Sequence, residues 1–265
     1  MTMTELTGRS AIVTGGLTGM GLATALALAA AGVRVAVGSR SGGSRSGGSR
    51  GAGEDQVPQC IAFSGQLDVA SSTSVAEFVA AAVASIGPAD ILINAAGITA
   101  EQPVCGHDDA LWDAIINTNL SGAFRMTRAV LPGMMSRGWG RVINVGSTAA
   151  TVGAKDSPAY CASKAGLLGL TRCVALEGAA RGVTCVMISP TWVDTEMMDR
   201  NLAEVVAREG KGRSIAQAKA EIAAQNPQGR IIESAEIADL AVFLCLNAAR
   251  GITMENIQVT GGVLW

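Results

Sequence analysis

The segment Ser10-Ala11-Ile12-Val13-Thr14, running directly into Gly15-Gly16-Leu17-Thr18-Gly19-Met20-Gly21, constrains the fold of this 265-residue chain more than any other. Five residues rich in branched apolar side chains suit a buried parallel strand, and an Ala/Leu-rich helix from about Met20 to Ala31 follows, closed by Gly32. A second apolar run, Val33 to Gly38, reads as the next strand. An ordinary tight turn needs one or two glycines, whereas this one has four in seven positions. Strand, glycine-rich turn, helix and strand in that order form a βαβ unit, and its glycines let a pyrophosphate approach the backbone at the helix N-terminus.

The same alternation continues. Strands are expected at about Cys60 to Gly65, Asp90 to Ile93, Arg141 to Val145, Val183 to Ser189 and Gly251 to Thr260. Helices fill the intervals, including Ser71 to Ile86, Asp108 to Thr118, one running to about Ala180 and one near Ala235 to Leu246. The pattern predicts an α/β chain, a Rossmann-like doubly wound parallel sheet with helices on both faces, forming a single domain over 1–265. Residues 39–53, with Arg40, Arg45 and Arg50 spaced through Gly/Ser sequence, read as a flexible loop. The charged, Ala-rich stretch within 191–230 reads as a lid over a substrate.

Composition narrows the function. Apolar residues make up 49% and charged residues 16%, and a net charge of -2 gives no reason to expect a nucleic-acid or membrane partner. Six cysteines without a Cys-x-x-Cys pair, and the one histidine, His107, argue against a metal site or a Ser-His-Asp triad. His107 is read as a loop residue. Free thiols suit a reducing compartment, and the N-terminus has no basic segment followed by an apolar one, so the expected location is cytoplasmic.

Tyr160 and Lys164 are four residues apart in a predicted helix, hence on one face, where a cation beside a phenol favours the phenolate and lowers its pKa toward a working range. With the Thr14-Gly15-x-x-x-Gly19-x-Gly21 turn upstream, this Tyr-x-x-x-Lys pattern resembles the short-chain dehydrogenase/reductase family, in its short single-domain branch. The resemblance spans about residues 7–262. It implies a cofactor site using Gly15, Leu17, Thr18, Gly19 and Met20 at the turn, Asp68 and Val69 at the adenine, and Asn94 in the Asn94-Ala95-Ala96-Gly97 segment, where Ala96 replaces a family glycine. In Pro190-Thr191-Trp192-Val193-Asp194-Thr195, Val193 and Thr195 match positions near the carboxamide and phosphates. Thr191 departs from the family's glycine there, which leaves the backbone course past the nicotinamide open.

Where an NAD-binding fold often carries an acid for the ribose hydroxyls, this chain has Gly38-Ser39-Arg40. Arg40 facing a 2′-phosphate, with Ser39 donating a hydrogen bond, favours NADP(H), with NAD(H) as the alternative. The resemblance also implies a catalytic set of Asn119, Ser147, Tyr160 and Lys164. Hydride passes between nicotinamide and a ketone or secondary alcohol; Ser147 binds the oxygen, Tyr160 exchanges its proton, Lys164 lowers the Tyr160 pKa and binds the nicotinamide ribose, and Asn119 supports proton supply through water.

The expected substrate is a small-molecule carbonyl or alcohol. A 3-oxoacyl-thioester reductase, an NAD-dependent hydroxyacyl or alcohol dehydrogenase, and a non-enzymatic nucleotide-binding regulator are the alternatives. Family members pack their last strand against one subunit and the helices around Gly122 to Arg137 and Ser157 to Ala180 across a second interface, so a homotetramer is expected, with a dimer as runner-up.

Overall fold

The computed structural model describes residues 3–43, 57–210 and 212–263. Most of the Gly/Ser/Arg segment expected as a flexible loop, from residue 44 on, and the terminal Trp265 lie outside the described residues. In chain order the elements are β1 (Ser10–Thr14), α1 (Gly19–Ala30), β2 (Arg34–Ser39), β3 (Phe63–Gln66), α2 (Ser72–Ile86), β4 (Ile91–Asn94), α3 (Asp109–Ile116), a π turn (Asn117–Ser121) and α4 (Gly122–Arg137). They continue with β5 (Gly140–Val145), α5 (Pro158–Ala179), β6 (Val183–Pro190), β7 (Val193–Asp194), α6 (Glu196–Glu209), α7 (Ile215–Gln225), β8 (Ile232–Glu233), α8 (Ser234–Cys245) and β9 (Asn256–Val259).

Seven strands pair in the order β3-β2-β1-β4-β5-β6-β9, and every pairing is parallel. Successive residues of a strand face opposite sides, and the cores follow that period. Ala11, Val13, Val35, Val37 and Ile93 pack beneath α1 and α8, with Leu28 and Ile237. Ile12, Ala36, Leu92 and Val142 pack on the other face under α2, α4 and α5, with Phe78, Met126 and Val174. The strand order reverses between β1 and β4, and such a switch point opens a crevice at the carboxyl ends of the strands.

Two strands differ from their expected bounds by more than a residue. β3 begins at Phe63, not Cys60, because its pairing with β2 starts at Ala36 and Phe63. The last strand is only Asn256–Val259: Met254, at φ 69°, bends the chain and donates from its N–H to the Cys185 carbonyl at 2.8 Å before pairing begins. The two-residue pair β7 and β8 (Val193 with Ile232, Asp194 with Glu233) was not expected, since two residues carry no periodicity. Among the described residues no helix is long and apolar enough to cross a membrane.

Candidate active site

The glycine turn is built by close backbone approach. Gly15, at φ 64°, donates from its N–H to the Gly38 carbonyl at 2.8 Å, and a side chain there would meet the Ala96 backbone at 3.0 Å. At Gly21 a Cβ would lie 2.2 Å from the Gly15 carbonyl oxygen, so α1 begins pressed onto its own turn. The hydroxyl of Thr14 accepts from the N–H groups of Ala95 and Ala96, each at 3.1 Å, tying the end of β1 to the segment after β4. Thr18 precedes α1 without a side-chain capping bond, so the helix N-terminus presents backbone donors rather than a hydroxyl cap.

In front of this turn lies a groove of about 850 Å3, lined by Gly15, Thr18, Gly19, Met20, Ser39, Arg40, Asp68, Val69 and Thr195. Its volume, its glycine floor and its helix N-terminus fit a dinucleotide. Arg40 is exposed on the groove wall, beside Ser39, whose hydroxyl accepts from the Gly42 N–H at 3.1 Å. Asp68 is also exposed there and closes a local turn by accepting from Ala70 N–H at 2.9 Å; Ser71, not Asp68, caps α2. Thr195 caps α6 by accepting from Met198 N–H, and its methyl group lies against Gly19.

Two predicted residues turn their side chains inward. Leu17 is part of the α1 core. Asn94 is buried beneath the groove floor, donating to Asn144 at 2.8 Å and to Thr127 at 3.3 Å. Val193 is buried as well, at the edge where β7 meets β8, and lines the neighbouring pocket. Thr191 requires no glycine-like backbone, because Asp156 and Met254 are the non-glycine residues of positive φ among the described residues.

Asn119 sits in the π turn, where the Gly122 N–H reaches back to the Asn117 carbonyl. Its side chain accepts from Ile98 N–H at 2.8 Å and donates to the Ile98 carbonyl at 2.9 Å and to Ser163 at 3.1 Å. Ser147 follows β5 and accepts from Ala149 N–H at 3.1 Å. Tyr160, in the first turn of α5, lines the same cavity as Ser147, and the serine hydroxyl favours its ionised form. Lys164, one turn on, is buried and donates to the Val145 carbonyl at 2.8 Å, with its Nζ 5.6 Å from the centre of the Tyr160 ring.

The electrostatics differ from the sequence expectation. Tyr160 keeps part of its surface open, yet burial of its hydroxyl pushes the pKa above its usual value, and the nearby Ser147 hydroxyl offsets part of this. Burial lowers Lys164 to about 8. The Lys164 ammonium is engaged by the Val145 carbonyl, and the influences that move Tyr160 come from burial, Ser147 and Cys161. As the chain stands, Tyr160 is a protonated donor.

Ser147 and Tyr160 open into a second cavity of about 300 Å3, walled by Val152, Trp192, Met197 and Val205. At its mouth Arg208, in the last turn of α6, pairs with Glu101 at 2.5 Å. This pair escaped sequence reasoning: nothing local links residues 107 positions apart. The two cavities share Met20, Thr195 and Met197.

Residues 9–205 match the short chain dehydrogenase family. The chain belongs to that family. It is similar to acetoacetyl-CoA reductase of Shinella zoogloeoides, 39% identical over 96% of this chain and 98% of the relative. It is also similar to D-beta-hydroxybutyrate dehydrogenase of Cupriavidus necator, 35% identical over 97% and 98%. Among solved structures, an actinorhodin polyketide ketoreductase with NADPH superimposes with a TM-score of 0.83 at 32% identity, covering 96% of each chain. The protein is a short-chain dehydrogenase/reductase, an oxidoreductase acting on hydroxyl and keto groups.

Proposed function

We propose that this short-chain dehydrogenase/reductase is an NADP(H)-dependent reductase of 3-oxoacyl thioesters and related ketones. The observation that carries the reading is that Ser147 and Tyr160 line one cavity, which shares the wall formed by Met20, Thr195 and Met197 with the dinucleotide groove. The thioester is suggested by the acetoacetyl-CoA reductase, and NADP(H) by the NADPH of the ketoreductase and by Arg40 on a groove wall with no acid at the end of β2.

Gly15, Gly19, Thr18 and Met20 would hold the pyrophosphate side, Ser39 and Arg40 the 2′-phosphate, Asp68 and Val69 the adenine, and Val193 and Thr195 the nicotinamide end. Leu17 and Asn94 would contribute by supporting the turn and the floor, given their buried side chains. When bound, the nicotinamide supplies the hydride. Ser147 would hold the substrate oxygen within reach of Tyr160, which delivers its proton as negative charge develops there. Lys164, charged at neutral pH, would bind the nicotinamide ribose beside Tyr160, and Asn119, its side chain held by two bonds to Ile98, would support proton supply through water. The helices within 191–230 would close over the substrate.

An NAD-dependent hydroxyacyl dehydrogenase is the second reading, favoured by the hydroxybutyrate dehydrogenase relative. The reading includes a homotetramer in the cytoplasm. The first is supported by an apolar groove between α4 and α5 with Phe124 exposed at its edge, the second by six unpaired cysteines.

Fluorescence titration with NADPH and NADH, followed by ketones and acyl thioesters at the nicotinamide absorbance, tests the proposal. Tight NADPH binding with acetoacetyl-CoA turnover is expected. NADH preference would replace the first reading by the second, and binding of neither would remove both.

A further inference from the structure

A buried chain of polar side chains crosses the sheet under the candidate site. Thr127 of α4, Asn94 of β4, Asn144 of β5 and Thr171 of α5 are all almost wholly inaccessible to solvent. Asn94 donates to Thr127 at 3.3 Å and to the Asn144 carbonyl oxygen of the side-chain amide at 2.8 Å. Asn144 in turn donates to Thr171 Oγ1 at 2.8 Å, with the Cys185 sulfur a longer second acceptor at 3.7 Å.

The direction of each bond is fixed. Thr171 gives its one hydroxyl proton to the Leu167 carbonyl at 2.8 Å, so toward Asn144 it can only accept. Asn144 therefore presents its amide nitrogen to α5 and its oxygen to Asn94. A slide of α5 along β5 would leave a buried amide donor with only a weak sulfur acceptor, and unmet buried donors are costly.

That register matters for the site because the same two elements carry it. β5 holds Val145, which anchors Lys164, and leads into Ser147; α5 holds Tyr160, Lys164 and Thr171. Lys164 and Thr171 lie two turns apart on one helix face, roughly 10 Å along the axis. α5 is thus pinned to β5 at two points, one at the site and one behind it.

We propose that Asn144 and Thr171 are positioning residues, a buried clamp that sets the register of α5 on β5 and so brings the Tyr160 hydroxyl to Ser147. The proposal rests on the catalytic reading of Tyr160 for its effect on turnover, but not for its effect on geometry. Neither residue lines the substrate cavity or the dinucleotide groove. A change at Thr171 therefore reports on position and not on lost contact with a ligand.

Tyr160 is the only tyrosine in the chain, so protein labelled with 13Cζ-tyrosine gives one resonance, which reads the surroundings of the Tyr160 hydroxyl, Ser147 included. In Thr171→Val that resonance moves toward the position it takes in Ser147→Ala, and kcat for a ketone falls on the order of ten- to a hundredfold, as small misplacements do. The Kd for NADPH stays within about twofold. Thr171→Ser, which keeps the acceptor, retains the wild-type resonance and kcat. Should Thr171→Val not fold, Thr171→Ala, which likewise removes the acceptor, is held to the same expectations. An unmoved resonance with a lowered Tm alone, or a serine variant as impaired as valine, overturns the clamp. If the wild type reduces no ketone, the functional reading fails while the resonance still decides the clamp.

Discussion

Lys164 donates a 2.8 Å hydrogen bond from Nζ to the carbonyl of Val145, two residues before Ser147 on the same stretch of chain. The ammonium is thereby buried against the strand that leads to the serine, and burial lowers its pKa to about 8. A position chosen for stability would not hold a charged amine there, and the cost gives a direct prediction.

Below about pH 8 Lys164 carries its proton in both folded and unfolded chains, and the burial penalty is fully present. Between that value and the unfolded value of 10.5 the unfolded chain keeps a proton that the folded chain has released, so stability rises with pH across this window. The penalty is on the order of 3 kcal/mol, and removing the side chain also loses the Val145 bond, about 1 kcal/mol. Lys164→Met is therefore expected to be more stable than wild type at pH 7, by about 1–2 kcal/mol. The gain shrinks as pH rises above 8. Urea unfolding at neutral and alkaline pH checks both the sign and the trend.

Arg40 stands exposed on the groove wall at the end of β2. If it meets the 2′-phosphate, Arg40→Ala raises the Kd for NADPH by about tenfold, the value of one charge-assisted contact discounted for solvent, and leaves NADH unchanged. Equal losses for both dinucleotides would place Arg40 elsewhere on the cofactor. Titrating both by fluorescence decides it.

Gly21 lies where a Cβ would come within 2.2 Å of the Gly15 carbonyl, and neither side of that contact is a flexible side chain. Gly21→Ala must open the turn, at an expected cost of about 1–3 kcal/mol, and dinucleotide affinity falls with it. Gly153, with nothing within 4 Å of an added Cβ, is the control. Thermal unfolding and NADPH titration of the two variants should separate cleanly.

How much was legible in the sequence depended on how local each signal was. β1, the glycine turn and α1 were readable because apolar run, punctuation and periodicity fall within one short stretch, Ser10 to Ala30, and the structure bounds them within a residue. The grouping of Ser147, Tyr160 and Lys164 rested on family resemblance, and the structure brings them to one place. Side-chain direction was not legible: Leu17 and Asn94 sit inside motifs, yet only the packing against α1 and Asn144 turns them inward. Nor was the electrostatic relation of Tyr160 to Lys164, because i,i+4 spacing fixes a shared face and not where an ammonium on a four-carbon stem finds its acceptor. The shortened β9 turned on Met254, whose left-handed backbone no propensity announces.

The most direct test of the account is the rate of NADPH oxidation by acetoacetyl-CoA and a simple ketone in wild type and Tyr160→Phe, with NADPH binding measured on the same samples. Loss of the proton donor is expected to lower kcat by at least about a hundredfold while the Kd for NADPH stays near wild type. A phenylalanine variant that turns over at the wild-type rate would remove Tyr160 from the chemistry and contradict the account.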